Sequence, residues 1–156
     1  IHHLAVPKLY LKQGHIYEIP SMVFSYFPMN LDLLYLIALY CDNDIAPKFI
    51  HFAFALLTAW WIFDYLKRRL DVFSGLLGVV LFLSLPIIVR LSTTVYVDLG
   101  LICFGFASLL FLLRYAERGF QPRYLVFAGL CCGLALGTKY NGLLVFFILT
   151  GLVPFL

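Results

Sequence analysis

The chain has 156 residues, of which 63% are hydrophobic and 12% charged, with a formal net charge of +3 and a mean hydropathy of +0.99. A soluble domain carries about 25% charged residues, so polar side chains are too few to cover a water-facing surface, and the solvent is largely lipid. No basic stripe suits nucleic acid, whereas the 16 Phe and 10 Tyr suit lipid-facing surfaces and interfacial belts.

There is no initiator Met and no charged leader before the first apolar run. The chain opens mid-motif and closes inside an apolar run, so it reads as a piece of a longer protein. Stretch 2–40 mixes apolar residues with His2, His3, Lys8, Lys12, Glu18, Asn30 and Asp32. Within it, 4–11 predicts a short amphipathic helix ended by Gly14, and 31–40 another, after Pro28 with Asn30 as cap. Neither is long enough to span, which places both along the outer membrane surface. A span needs about 20 mainly apolar residues. Run 46–66 meets this, with Asn43 or Asp44 as cap and Pro47 in the first turn. Runs 72–89 (Pro86 near its far end), 95–113, 124–136 extended through Gly137, and 142–156 follow. The expected fold class is all-α, a polytopic transmembrane helix bundle. It reads as one membrane domain, with 1–44 an outer loop carrying juxtamembrane helices and 46–156 the spans. Gly129, Gly133 and Gly137 recur every fourth residue, a spacing that lets another helix approach closely.

Charge clustering orients the bundle. Lys67, Arg68 and Arg69 follow the first span, and Arg114, Arg118 and Arg123 surround the link between the third and fourth. The positive-inside rule makes both links cytoplasmic. The stretch through Asp44 and the links 90–94 and 138–141 then face outward. On that side Asp98 stands near the start of an apolar run, and a carboxylate at membrane depth is expensive enough to need a purpose. Arg90 precedes it by about two turns of helix, and Tyr96 lies between. Lys139, Tyr140 and Asn141 form another outer link, while His3 and Lys8 lie in the N-terminal stretch.

This set suits an anionic lipid headgroup beside a polar acceptor. Lys and Arg neutralise phosphate, a carboxylate acts as base or orients a hydroxyl, and Tyr and Asn hydrogen-bond sugar hydroxyls. Structural roles compete at each position. Asp98 would also complement a helix dipole, and Lys139 and Arg90 would also snorkel. Adjacent His2 and His3 point apart and make no metal site. His51 reads as a hydrogen-bonded packing residue, and Glu18 as a solvated loop charge. Cys41, Cys103, Cys131 and Cys132 lack CxxC spacing and read as packing residues. Serine-hydrolase, phosphate-loop, zinc-protease and dinucleotide fingerprints are absent from the sequence.

The segment His2-His3-Leu4-Ala5-Val6-Pro7-Lys8-Leu9-Tyr10-Leu11 resembles the first outer loop of polytopic glycosyltransferases of the GT-C superfamily. That superfamily includes protein mannosyltransferase and aminoarabinose transferase relatives. Tyr26-Phe27-Pro28-Met29-Asn30-Leu31-Asp32-Leu33-Leu34-Tyr35 is similar to the next part of that loop. Ser92-Thr93-Thr94-Val95-Tyr96-Val97-Asp98-Leu99 and Gly137-Thr138-Lys139-Tyr140-Asn141-Gly142 resemble two later blocks. The resemblance implies a many-helix bundle that transfers sugar from a polyprenyl-phosphate donor at the periplasmic or lumenal face. It places His3 and Lys8 beside the active centre and matches Asp98 to a polar residue of the same cavity. It expects the main catalytic acid upstream of Ile1, so that the chain from Ile1 onward would be inactive alone. Some relatives hold a divalent metal, whose ligands are unassigned here.

The expected partners are membrane lipid, a lipid-linked sugar as substrate and an unidentified acceptor, in a bacterial plasma membrane with the active face outward. The substrate-binding set is His3, Lys8, Arg90, Tyr96, Lys139, Tyr140 and Asn141, with Asp98 catalytic and no metal ligand named. Two rivals are a transporter or flippase, which would place charges and helix breaks near the midplane, and a non-catalytic membrane subunit, which the glycine face also fits.

Overall fold

A computed structural model describes residues 2–41 and 43–156, and every regular element among them is helical. In order these are α1 (His2–Gln13), α2 (Asn30–Tyr40), α3 (Ala46–Arg69), α4 (Val72–Ser84), α5 (Pro86–Ser92), α6 (Asp98–Glu117), α7 (Pro122–Thr138) and α8 (Gly142–Leu152). Short 3₁₀ turns occupy Val23–Tyr26 and Val153–Phe155. The molecule is a helical membrane bundle.

Local chemistry sets the boundaries. Gly14 takes φ +75°, a left-handed turn that glycine adopts without strain. Its N–H returns to Tyr10 O at 2.9 Å and closes α1. The expected Asn30 cap is displaced by one residue. Met29 is the N-cap of α2, and the Asn30 side chain lies against Gly137 of α7 instead. At α3, Asn43 Oδ1 accepts the N–H groups of Ile45 and Ala46 at 3.0 and 2.9 Å. Asp44, the other candidate cap, accepts a hydrogen bond from Lys8 Nζ at 2.7 Å. Asp71 caps α4 by accepting Ser74 N–H at 2.6 Å, and that bond holds its carboxyl below the usual range.

Two helices, α3 and α6, are long and apolar enough to cross a membrane. Run 72–89 is divided rather than continuous. Proline lacks the N–H that would continue the ladder and clashes with the preceding turn, so α4 and α5 meet at Pro86 with a 68° bend. The pair counts as a third span if taken as one broken helix. Runs 124–136 and 142–156 become the shorter apolar helices α7 and α8.

Helix α6 is the central element. It packs along α7 and against α3, and Ser108 Oγ donates to Ala128 O at 2.7 Å to join α6 to α7. Gly129 and Gly133 face open space, whereas Gly137 and Gly142 are closely approached, by Asn30 and by the backbone of Ala135–Leu136. The glycine face of α7 therefore meets a neighbour only at its C-terminal end, among the described residues. Large apolar side chains such as Val126, Leu130, Phe147 and Ile148 are exposed, as lipid contact requires.

Candidate functional site

The two ends of the bundle differ in chemistry. At one end Arg68 and Arg114 pair with Asp64, and Arg69 with Glu117, joining the C-terminal ends of α3 and α6. At the other end α1, α2, the start of α6 and the end of α7 converge on a cavity of about 240 Å³. Its lining includes His3, Phe27, Asp32, Tyr96, Lys139 and Tyr140.

Asp98 is the first residue of α6, three positions later than the apolar run suggested. Lys139 follows the last residue of α7. The two meet there, with Lys139 Nζ donating to Asp98 Oδ1 at 2.7 Å. The carboxylate also occupies the positive end of α6, where a negative charge is favoured. Both side chains are partly open, at 25% for Asp98 and 39% for Lys139, so the pair is accessible from outside the bundle.

A second pair lies deeper. His3 Nδ1 donates to Asp32 Oδ1 at 2.8 Å, with side-chain exposures of 10% and 6%. The His3 ring stands 5.6 Å from that of Tyr96. Across the cavity Phe27 meets Tyr140 edge-on at 5.1 Å. Lys139, the His3–Asp32 pair and several aromatic rings thus line one pocket, an arrangement suited to a polar ring compound with apolar faces.

The segment carrying Tyr96 and Asp98 is gripped from both sides. Tyr35 OH donates to Tyr96 O at 2.6 Å. Burial, and then the Asp32 and Asp98 carboxylates, push the Tyr35 hydroxyl well above its usual range, so it stays a donor. From α3, His51 Nε2 accepts Leu99 N–H at 3.1 Å, and His51 Nδ1 lies 3.1 Å from both Leu91 O and Thr94 O.

The family model for dolichyl-phosphate-mannose-protein mannosyltransferase matches residues 29–156. The chain belongs to that family. It is a membrane glycosyltransferase of the mannosyltransferase kind, embedded in a bilayer through its apolar helices. No curated protein and no solved structure matches it. The family match takes in Asp32, Tyr96, Asp98, Lys139 and Tyr140, while His3 and Lys8 lie before it.

Of the residues singled out from sequence, His3, Tyr96, Lys139 and Tyr140 line the cavity, and Asp98 joins them through Lys139. Lys8 is drawn to Asp44 on the exposed side of α1. Asn141 is the exposed N-cap of α8 and does not line the cavity. Arg90 does not share a helix with Asp98. It lies in the last turn of α5, which residues 93–97 separate from α6, and makes no ion pair among the described residues. The His2 side chain lies outside the described residues. Sequence reasoning passed over Asp32, Tyr35 and His51 as site-forming groups. Asp32 carried a usable signal, since it is the sole charge in the apolar stretch 31–40.

Among the described residues no group of three or more His, Cys, Asp and Glu gathers as a metal site.

Proposed function

We propose that the protein transfers a sugar from a polyprenyl-phosphate donor to an acceptor hydroxyl or amine at the non-cytosolic face of a bacterial plasma membrane. The reading is supported by one observation above the rest: Lys139, bonded to Asp98, and the His3–Asp32 pair line one cavity at the bundle end opposite the Lys67-Arg68-Arg69 cluster. By resemblance, a carboxylate preceding Ile1 takes the acceptor proton. The acceptor atom attacks the sugar C1, the bond from C1 to the phosphate oxygen breaks, and the polyprenyl phosphate leaves with the electron pair. Lys139 moves between Asp98 and the departing phosphate and neutralises its charge. Asp98 orients the sugar hydroxyls, and Tyr96, Tyr140 and His3 complete the binding surface. Fixed charges in a water-poor pocket stabilise the developing phosphate charge without reorganising.

Transport is the rival with an observation of its own, the broken pair α4–α5. Transporter breaks bring ionisable groups to the midplane, whereas here the paired charges sit at helix ends, which favours transfer.

The test uses full-length protein in sealed proteoliposomes with a panel of polyprenyl-phosphate sugars. Transfer is expected from at least one donor. Asp98→Asn and Lys139→Ala should each lower kcat/KM by about tenfold or more, as loss of one charge-stabilising group does. Undiminished transfer by both variants would remove these residues from the site. No transfer from any donor, with substrate accumulating across the membrane instead, would favour the transporter.

A further inference from the structure

His51 is fully buried inside α3, a helix otherwise apolar at that depth. An apolar side chain would fill the same space, so a packing role leaves its polarity unexplained. The hydrogen bonds supply the explanation, and they fix its tautomer. Leu99 N–H donates to Nε2, so that nitrogen carries a lone pair and Nδ1 carries the proton. Nδ1–H then divides its bond between Leu91 O, on the last turn of α5, and Thr94 O, in the link to α6. The first N–H groups of α6 have no intrahelical partner, and lipid offers none. Leu91 O already accepts Thr94 N–H and Thr94 Oγ1, each at 3.2 Å, so what the neutral imidazole adds is an acceptor for Leu99 N–H and a link from that N–H back to the end of α5. An imidazolium could not do so, because it has no acceptor for Leu99 N–H.

The consequence falls on Asp98, which immediately precedes Leu99. Val97 and Leu99 on either side of it are both 1% exposed. Tyr35 holds Tyr96 O from α2, and His51 holds Leu99 N–H from α3. The carboxylate is thus suspended between two fixed points, directed toward Lys139. We infer that His51 is a positioning residue: it bridges the end of α5 to the start of α6 and so sets where Asp98 stands in the cavity. This rests on the reading of Asp98 as a site residue, and its structural half stands independently of that reading.

The experiment combines hydrogen exchange with kinetics on the full-length protein in nanodiscs. In His51→Phe all three bonds are lost while most of the ring volume stays. Exchange in a peptide covering 91–101 is expected to rise by about tenfold or more, while 103–115 in the same helix keeps its protection. With an active donor, kcat should fall by about tenfold or more and KM should shift by less than about threefold, since small displacements of a charged group act mainly in the transition state. Tyr35→Phe, which loosens the second grip alone, should show the same pattern at smaller amplitude. His51→Asn offers a further variant should Phe prevent insertion. It retains a donor on the Nδ1 side and has no group at Nε2, so exchange should rise at 97–101 more than at 91–95. Unchanged exchange at 91–101 in His51→Phe, or exchange raised evenly through the bundle, would overturn the inference. So would a variant loosened at 91–101 that transfers sugar at the native rate. If the native protein transfers nothing while His51→Phe loosens only 91–101, the transferase reading falls and the bridge is upheld.

Discussion

His3 and Asp32 lie 29 positions apart in sequence and 2.8 Å apart in space. Nothing in the spacing announces that meeting, because α1 and α2 are brought together by Val6, Tyr10 and Ile19 packing with Met29, Leu33 and Leu36. The pair's energetics follow from asymmetry. A buried carboxylate stripped of its partner is left as an uncompensated charge, so His3→Leu should lower stability by about 3–5 kcal/mol. Asp32→Leu removes the acceptor of one His3 hydrogen bond and leaves no buried carboxylate behind, so it should lose less, about 1–3 kcal/mol. The double variant removes both polar groups, and its loss should fall short of the sum by about 0.5–3 kcal/mol. Denaturation of the purified protein in mixed micelles, run as a double-mutant cycle, measures all three. Strict additivity would mean that the two side chains do not interact. Asp98 and Asp32 each interrupt an apolar stretch, but only the run holding Asp98 is long enough to span; in a stretch too short to span, the charge at Asp32 reads as solvated at the membrane surface.

At the scale of elements, apolar runs located the helices well and their interruptions poorly. Run 72–89 holds enough apolar residues for a straight span, and averaging over it hides the one residue, Pro86, that bends it by 68°. The glycine periodicity of α7 was readable, yet periodicity reports only that a face is smooth, not that a neighbour occupies it. Gly142, which belongs to no periodic set, is the more constrained position. It opens α8 hard against the backbone at the end of α7, where a Cβ would meet Ala135 O and Leu136 Cα. Backbone cannot swing aside as a side-chain tip can. Gly142→Ala should therefore destabilise the protein by about 1–3 kcal/mol through overpacking, and Gly129→Ala, which meets open space, should be close to neutral. Thermal unfolding in detergent compares the two. Equal effects would mean that α7 and α8 meet in some other way.

At the scale of the molecule, the two ends of the bundle carry different chemistry. Helix α3 runs 24 residues, about 36 Å at 1.5 Å per residue, which exceeds the hydrocarbon thickness of about 30 Å. It carries His51 near one end and Lys67, Arg68 and Arg69 at the other. Arg69 pairs with Glu117 at the C-terminal ends of α3 and α6, and His51 bonds Leu99 N–H near their starts, so the two helices run parallel, while Lys139 on Asp98 sets α7 antiparallel to α6; the basic cluster and the cavity therefore lie at opposite ends. Basic residues retained on the cytosolic side would turn the cavity outward. Cysteine accessibility decides this directly. In full-length protein with Cys41→Ser, which removes the exposed native thiol, Lys67→Cys and Tyr140→Cys are each treated with a membrane-impermeant maleimide. Intact cells should label Tyr140→Cys alone, and inverted vesicles Lys67→Cys alone. The mirror-image result would turn the cavity toward the cytosol and remove the outward-facing mechanism. Labelling of both positions from one side would contradict the separation of the two ends, and with it the gathering of the paired charges on a single face of the membrane.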